Sequence, residues 1–258
     1  MNILVCIKQV PDDSVEISLN KEKNQPNLDG ITKVVNAFDT YSLEMATRLK
    51  EKVGGEIVVL SIGDESVKNS LKNCLAVGAD KAYLIKNDAF ESLDADGISK
   101  LLIKGKEEIE KILDVKFDMI FCGKETTDYA TSQVGLFIGE ELNVPAVANV
   151  VDIEVEEALG KVKQETEEGY NVVEFGLPAV VTVQKPNYEP RYPTIKTKMA
   201  ARKKPIEELG LEVEGGNKIE VVKIFEPAKR QAGVKIKAEA VEDTVAEAMK
   251  LIVEAKVL

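Results

Sequence analysis

Apolar residues along this chain fall into two recurring patterns, short unbroken runs and helically spaced stripes, and the two alternate. Residues 2–8 form an apolar, β-branched run of the kind that makes a buried parallel strand. Pro11 ends it, and alternation at Val15, Ile17 and Leu19 within the polar stretch 12–30 predicts an edge hairpin. Leu43, Ala46 and Leu49 then recur at helical spacing until Gly54, with Asp39 or Thr40 as the natural N-cap. Further strands are predicted at 56–62, 81–85 and 118–122, separated by helices at 65–77 and from Asp94 onward, and a helix over about 131–142 follows the polar turn 123–130. Strands alternating with helices at this spacing specify a parallel sheet covered on both faces.

After Pro145 the rhythm changes. Runs at 147–155, 161–166, 171–175 and 179–184 read as strands joined by tight turns, which predicts an antiparallel extension of the sheet. Beyond Lys185 the chain is rich in proline and charge, with a short strand expected at 221–225 and an amphipathic helix at 241–253. The expected architecture is therefore α/β, a Rossmann-like parallel sheet with helices on both faces, an antiparallel extension and a C-terminal arm. It divides into an α/β domain over 1–185 and a loop and arm over 186–258 that pack on something else.

Charge and composition narrow the chemistry. A net charge of -11 argues against a nucleic-acid partner, because phosphate binding needs a clustered basic surface. With no histidine in the chain, Ser-His and Cys-His mechanisms are excluded and no catalytic residue is expected; a bound cofactor carries any reaction. Cys6, Cys74 and Cys122 sit far apart in apolar runs without a CxxC pair, so they read as small buried hydrophobes in a reducing cytoplasm, not as a metal site. No apolar stretch reaches the roughly 20 residues of a membrane span.

In an open parallel sheet, ligands bind beyond the carboxyl ends of the strands. Three segments fall there: 6–11, 36–39 and 123–133. The last places Gly123 for close backbone approach and hydroxyls at Thr126, Thr127, Thr131 and Ser132 near a helix start. Two readings fit it, an ordinary polar helix cap and a phosphate cradle, and neither GxxxxGK[ST] nor GxGxxG is present to choose between them. Tyr188 and Tyr192, in a proline-rich loop, are scattered surface aromatics or partner contacts.

Taken together, ILVCIKQVPD from Ile3, VVNAFDTYSLE from Val34, AVGADKAYL from Ala76, FCGKETTD from Phe121, LPAVVT from Leu177 and NYEPRYPT from Asn187 resemble the β subunit of electron-transfer flavoproteins over nearly the whole chain. Two positions depart from that family's pattern: Gln164 stands where an arginine is usual and Asn171 where an acid is usual. The resemblance implies a heterodimer with a larger α subunit, in which this chain holds FAD, or AMP as the alternative, in its domain 1–185 and recognises partners through its loop and arm over 186–258. By position the cofactor residues are Cys6, Asn36, Ala37, Phe38, Asp39, Ile62, Gly123, Lys124, Glu125, Thr126, Thr127, Asp128, Tyr129, Ala130, Thr131, Ser132, Gln133 and Val134. The TSQVG arrangement from Thr131 looks like flavin-bifurcating members, in which NAD(H) is a transient substrate and electrons divide between ferredoxin and a flavin-containing dehydrogenase. Ala37, Phe38 and Asp39 look more like the simple electron carriers, and a nucleotide-binding regulatory module without redox work is the reading from another class. The loop 186–201 resembles the family's dehydrogenase-recognition loop, with Tyr188, Arg191, Tyr192 and Ile195 as partner-binding residues and Ile195 as the apolar anchor.

Overall fold

A computed structural model describes residues 1–20, 22, 25–87, 90–212, 217–228 and 232–256. Two compact units separate within it: Met1–Ile17 with Pro26–Val222, and Ser18–Gln25 with Lys223–Leu258. The first unit is built on nine strands, β1 (Asn2–Cys6), β2 (Glu56–Gly63), β3 (Lys81–Lys86), β4 (Met119–Gly123), β5 (Ala146–Glu156), β6 (Leu159–Thr166), β7 (Gly169–Gly176), β8 (Ala179–Val183) and β9 (Glu207–Leu209). Its helices are α1 (Ala37–Val53), α2 (Val67–Val77), α3 (Ala95–Leu113), α4 (Val134–Glu141) and α5 (Ile195–Lys203).

The strands form one sheet in the order β7-β6-β5-β8-β4-β1-β2-β3-β9, a parallel body with β6 and β7 added antiparallel at one edge. Alternation along each strand divides two cores. Ile3 and Val5 face α1, α2 and Ala201 of α5, while Leu4 and Cys6 face Leu101 of α3 and Ile138 of α4. From β1 the chain runs outward to β2 and β3, then returns through α3 to β4 on the other flank of β1. The order therefore reverses between β1 and β4, and in open sheets the crevice that takes a ligand lies beyond the carboxyl ends at such a reversal.

Several expectations need correction. The run at 179–184 does not belong to the antiparallel extension: β8 inserts between β4 and β5, parallel to both. Its five residues are all buried, as an interior strand requires. Val15 and Ile17 lie in no strand, so the expected hairpin shrinks to Leu19–Asn20 paired with Gln25–Pro26, while Gln9–Pro11 pairs with Lys33–Val35. Residues 221–225 form no strand, since nothing pairs with them among the described residues, whereas β9, which no alternation announced, extends the parallel body beside β3. Helix α1 begins two residues before Asp39, with Asn36 at the N-cap position, and α4 begins at Val134, three residues later than expected.

The departures at Gln164 and Asn171 compensate each other. They face across β6 and β7, and the Asn171 amide donates to the Gln164 side-chain oxygen at 3.3 Å, a neutral bond where the family pattern would place opposite charges. In the second unit, α6 (Val241–Glu254) buries no residue and leaves Val241, Val245, Met249 and Ile252 exposed. Among the described residues no helix is long and apolar enough to cross a membrane.

Phe121, fully buried on β4, is one of the largest side chains in the core. Phe121→Ala is expected to cost about 3–5 kcal/mol of unfolding free energy, measured as a lowered denaturant midpoint.

Candidate functional site

The crevice between β1 and β4 is closed underneath by one side chain. Asp39 lies in the first turn of α1, where a carboxylate suits the helix dipole, and is almost wholly buried. One of its oxygens accepts the Lys8 amide at 2.6 Å and the other accepts the Gly123 amide at 3.1 Å. A single carboxylate thus ties the ends of the two strands that flank the reversal. Burial drives its pKa up to about 7, against hydrogen bonds from the Lys8 amide, the Asn36 side chain and the Gly123 amide that pull it down.

Asn36, completely buried, does the complementary job above it. Its amide nitrogen donates to Glu125 O at 2.8 Å and its amide oxygen accepts from Thr127 N at 3.1 Å, so both ends of the side chain read the backbone of the polar turn. The turn also fastens itself: Ser132 Oγ donates to Glu125 at 2.7 Å and Ala130 N donates to Thr126 O at 2.8 Å. Ala130 and Ser132 both adopt positive φ, 50° and 55°, so two non-glycine residues hold sparsely populated backbone conformations within three positions. Gly123 is required for the approach, because a Cβ there would stand 2.3 Å from Asp39 Oδ1 and 2.8 Å from Phe38 Cβ.

The turn leads into α4, whose N-cap Gln133 makes no side-chain capping bond. Its first amides, of residues 134 and 135, point along a helix dipole whose positive end faces the crevice, a donor set suited to an anion. A Cβ on Gly135 would come within 2.6 Å of Thr182, so glycine is what lets α4 lie this close to β4 and β8.

The structure gathers the expected cofactor residues at one end of the sheet. Cys6 and Ile62 end β1 and β2 and are buried, Ala37 is exposed, Phe38 is half-buried, and Lys124, Glu125, Thr126 and Ser132 line the turn partly covered. Thr127, Asp128, Tyr129, Ala130, Thr131 and Gln133 are exposed on it. The three cysteines are free and buried; burial pushes the Cys74 thiol up to about 12, and a hydrogen bond with Cys6, reinforced by burial, holds Cys122 protonated. The described residues hold no group of His, Cys, Asp or Glu that could bind a metal ion.

One residue of the segment 6–11 was not singled out. Lys8, just past β1, ion-pairs with Asp128 at 2.6 Å and sits over the Tyr129 ring, 4.4 Å from its centroid. A lone lysine after an apolar run gave no local signal, because its partners lie some 120 residues away. The four expected partner residues divide: Tyr188 and Arg191 turn back onto α1, while Tyr192 and Ile195 stand exposed. A separate cleft of about 840 Å³ opens at the amino ends of the strands, lined by Met1, Phe117, Leu142 and Val144 among others, at the far end of the sheet from the polar turn.

A mostly parallel sheet flanked by helices, with backbone amides and one buried carboxylate gathered at its reversal, defines an α/β protein of the doubly wound class. Its family follows from comparison with known proteins. Residues 29–214 match the electron transfer flavoprotein domain. The chain is 35% identical to the electron transfer flavoprotein subunit beta of Megasphaera elsdenii, covering 93% of this chain and 92% of that one. It is 38% identical to the subunit of the same name from Thermoanaerobacterium thermosaccharolyticum, over 76% and 73%. It is 31% identical, end to end, to the caffeyl-CoA reductase-Etf complex subunit CarD of Acetobacterium woodii. The chain belongs to the electron transfer flavoprotein family, as a β subunit, and its role is electron transfer.

Two outcomes follow from this geometry. Gly123→Ala should push Asp39 and the start of α1 away from β4, costing about 2–4 kcal/mol, read as a lower melting temperature. For Asp39, the unfolded chain ionises near 3.8 and the folded chain near 7. Between these values the folded state binds the extra proton, so its contribution to stability falls as pH rises from about 4 to about 7 and is level above. The unfolding free energy of wild type relative to Asp39→Asn should decline across that window in denaturant titrations at stepped pH; a flat difference would contradict it.

Proposed function

We propose that this chain works as the smaller half of a cytoplasmic heterodimer with an electron-transfer flavoprotein α subunit, and that its crevice holds the adenylate part of FAD. The observation that carries the reading is the aim of Asn36 and Asp39: both side chains meet the turn 123–127, leaving the amino end of α4 facing the crevice. The α4 amides take the phosphates, Asn36 holds the turn in shape around them, and Cys6, Phe38 and Ile62 furnish apolar walls. When bound, FAD supplies two-electron acceptance from NADH and one-electron release to separate acceptors, ferredoxin and a flavin-containing dehydrogenase. The chain's own share is to bind, orient and tune, which a protein without histidine can do.

The TSQVG sequence and the end-to-end likeness to a subunit named for a caffeyl-CoA reductase complex support the bifurcating form. A relative from Anaerotignum propionicum, 30% identical, is named as the electron transfer subunit gamma of acryloyl-CoA reductase. By analogy with these names, the dehydrogenase served here acts on CoA thioesters. A second reading, the simple carrier with AMP in this subunit, is favoured by Ala37 and Phe38 ahead of Asp39.

Absorption of the purified heterodimer, with chromatography of the released nucleotides, separates these. Two flavins per heterodimer, bleached by NADH, are expected. One flavin with one AMP gives the simple carrier, and no nucleotide in this subunit overturns both. Asn36→Ala, which loses both bonds to the turn, should weaken nucleotide retention by about tenfold or more, measured by equilibrium dialysis.

A further inference from the structure

Helix α1 carries a stripe of polar residues, Tyr41, Glu44, Arg48 and Glu51, spaced three, four and three apart and therefore on one face. The segment 185–191 lies along it and is fastened at Tyr188, Glu189 and Arg191. Tyr41 donates to Glu189 at 3.3 Å, and Lys185 sits 3.4 Å from Glu189. The Arg48 guanidinium stacks on the Tyr188 ring, 3.8 Å from its centroid. Arg191 completes the set: its main-chain amide and Nε bond Glu44 at 3.2 and 2.8 Å, and its Nη atoms bond Glu51 at 2.7 and 3.2 Å. The Glu44 side chain is only 3% exposed and also takes Arg48 Nε at 2.6 Å. Burial alone would raise the Glu44 carboxyl, but the two arginines more than offset this and hold it below its ordinary value.

Immediately beyond Arg191 the character inverts. Tyr192 is 85% exposed, Ile195 82% and Met199 60%: one apolar side chain just ahead of α5 and two a helical turn apart on it, uncovered among the described residues. The segment is nonetheless shaped: Thr194 and Thr197 form a capping box at the start of α5, and Lys72 reaches the carbonyls of Ala201, Arg202 and Lys204 at its end. Around the apolar edge stand Lys196, Lys198, Arg202 and Lys203, a basic collar in a chain of net charge -11.

We propose that Arg191 is a positioning residue for electron delivery: its clasp on Glu44 and Glu51 holds Tyr192, Ile195 and Met199 outward as a preformed plug for an apolar, acid-rimmed pocket on the flavin dehydrogenase. This rests on the reading of the loop 186–201 as the dehydrogenase contact, and adds what shapes the loop and the pocket chemistry that fits it. A plug held ready before encounter loses less conformational entropy on docking, so the clasp acts on affinity and leaves the electron-transfer step alone. The same helix carries Asn36 and Asp39 at its start, so the loop and the crevice are registered to one rigid element.

The test uses the intact heterodimer and a flavin-containing acyl-CoA dehydrogenase supplied with its CoA thioester. Arg191→Met should raise the KM for the dehydrogenase about tenfold, with kcat unchanged, and speed amide exchange in residues 192–200 by about tenfold. Arg191→Lys should recover part of both changes, since a lysine keeps the charge without the fork. Glu51→Gln, which leaves Glu44 its arginines, should shift both in the same direction by less, and keeps the test open if Arg191→Met folds poorly. Bound nucleotide should be unchanged in all three. If Ile195→Ala raises KM while Arg191→Met and Glu51→Gln do not, or if they alter kcat instead, the positioning role is wrong and the docking loop stands. If Ile195→Ala and Arg191→Met both leave KM unmoved, the docking reading falls and the proposal with it.

Discussion

The Asp39 carboxylate, buried at the foot of the crevice, joins the amide after β1 to the amide at the end of β4. Those two strands have no loop in common; the chain leaves β1 in one direction and reaches β4 only after two further strands of the same sheet and three helices. A buried ion is costly unless hydrogen-bonded, so the carboxylate belongs here only while both amides point at it. Gly123 keeps the space in which it fits, and Asn36, three residues earlier on the same chain, carries the restraint upward into the polar turn. Remove that pair of side chains and the sheet would still form, but the crevice would lose its shape.

Helix α1 is consequently more than a cover for the sheet. Its first turn builds the crevice, its inner face packs Leu43, Ala46 and Leu49 into the core, and its outer face binds the segment that leads to the exposed apolar edge. A carrier of electrons must hold a cofactor rigidly and a partner transiently. Here the polar turn and the exposed apolar edge both refer to one helix of 17 residues. In the other unit, α6 is a different kind of element, amphipathic and without a buried residue.

Much of this was legible beforehand, and the limits of legibility have a common cause. Local periodicity located β1 to β4, α1 to α3 and α6 closely, because strand and helix spacings are properties of a few adjacent residues. The same reasoning picked out 36–39 and 123–133 as ligand-facing segments but gave Asp39 to a helix cap. Capping is a contact within three or four residues, whereas the partners of Asp39 are 31 and 84 residues away. Likewise Tyr188 and Arg191 read as exposed contacts because an arginine and a tyrosine in a proline-rich loop carry no mark of the distant acid and guanidinium that hold them.

The sequence by itself determined the alternation of strands and helices, the absence of histidine chemistry, the membership in a flavoprotein family and the segments that meet at one end of the sheet. Only the tertiary structure decided that β8 threads between β4 and β5, that Gln164 and Asn171 pair with each other, that Lys8 meets the polar turn, and which side chains of the loop 186–201 are clasped and which are exposed. The division is physical. Hydrophobic pattern and turn chemistry are encoded by neighbours along the chain, while hydrogen bonds to buried carboxylates and the order of strands in a sheet depend on which distant segments the core brings together.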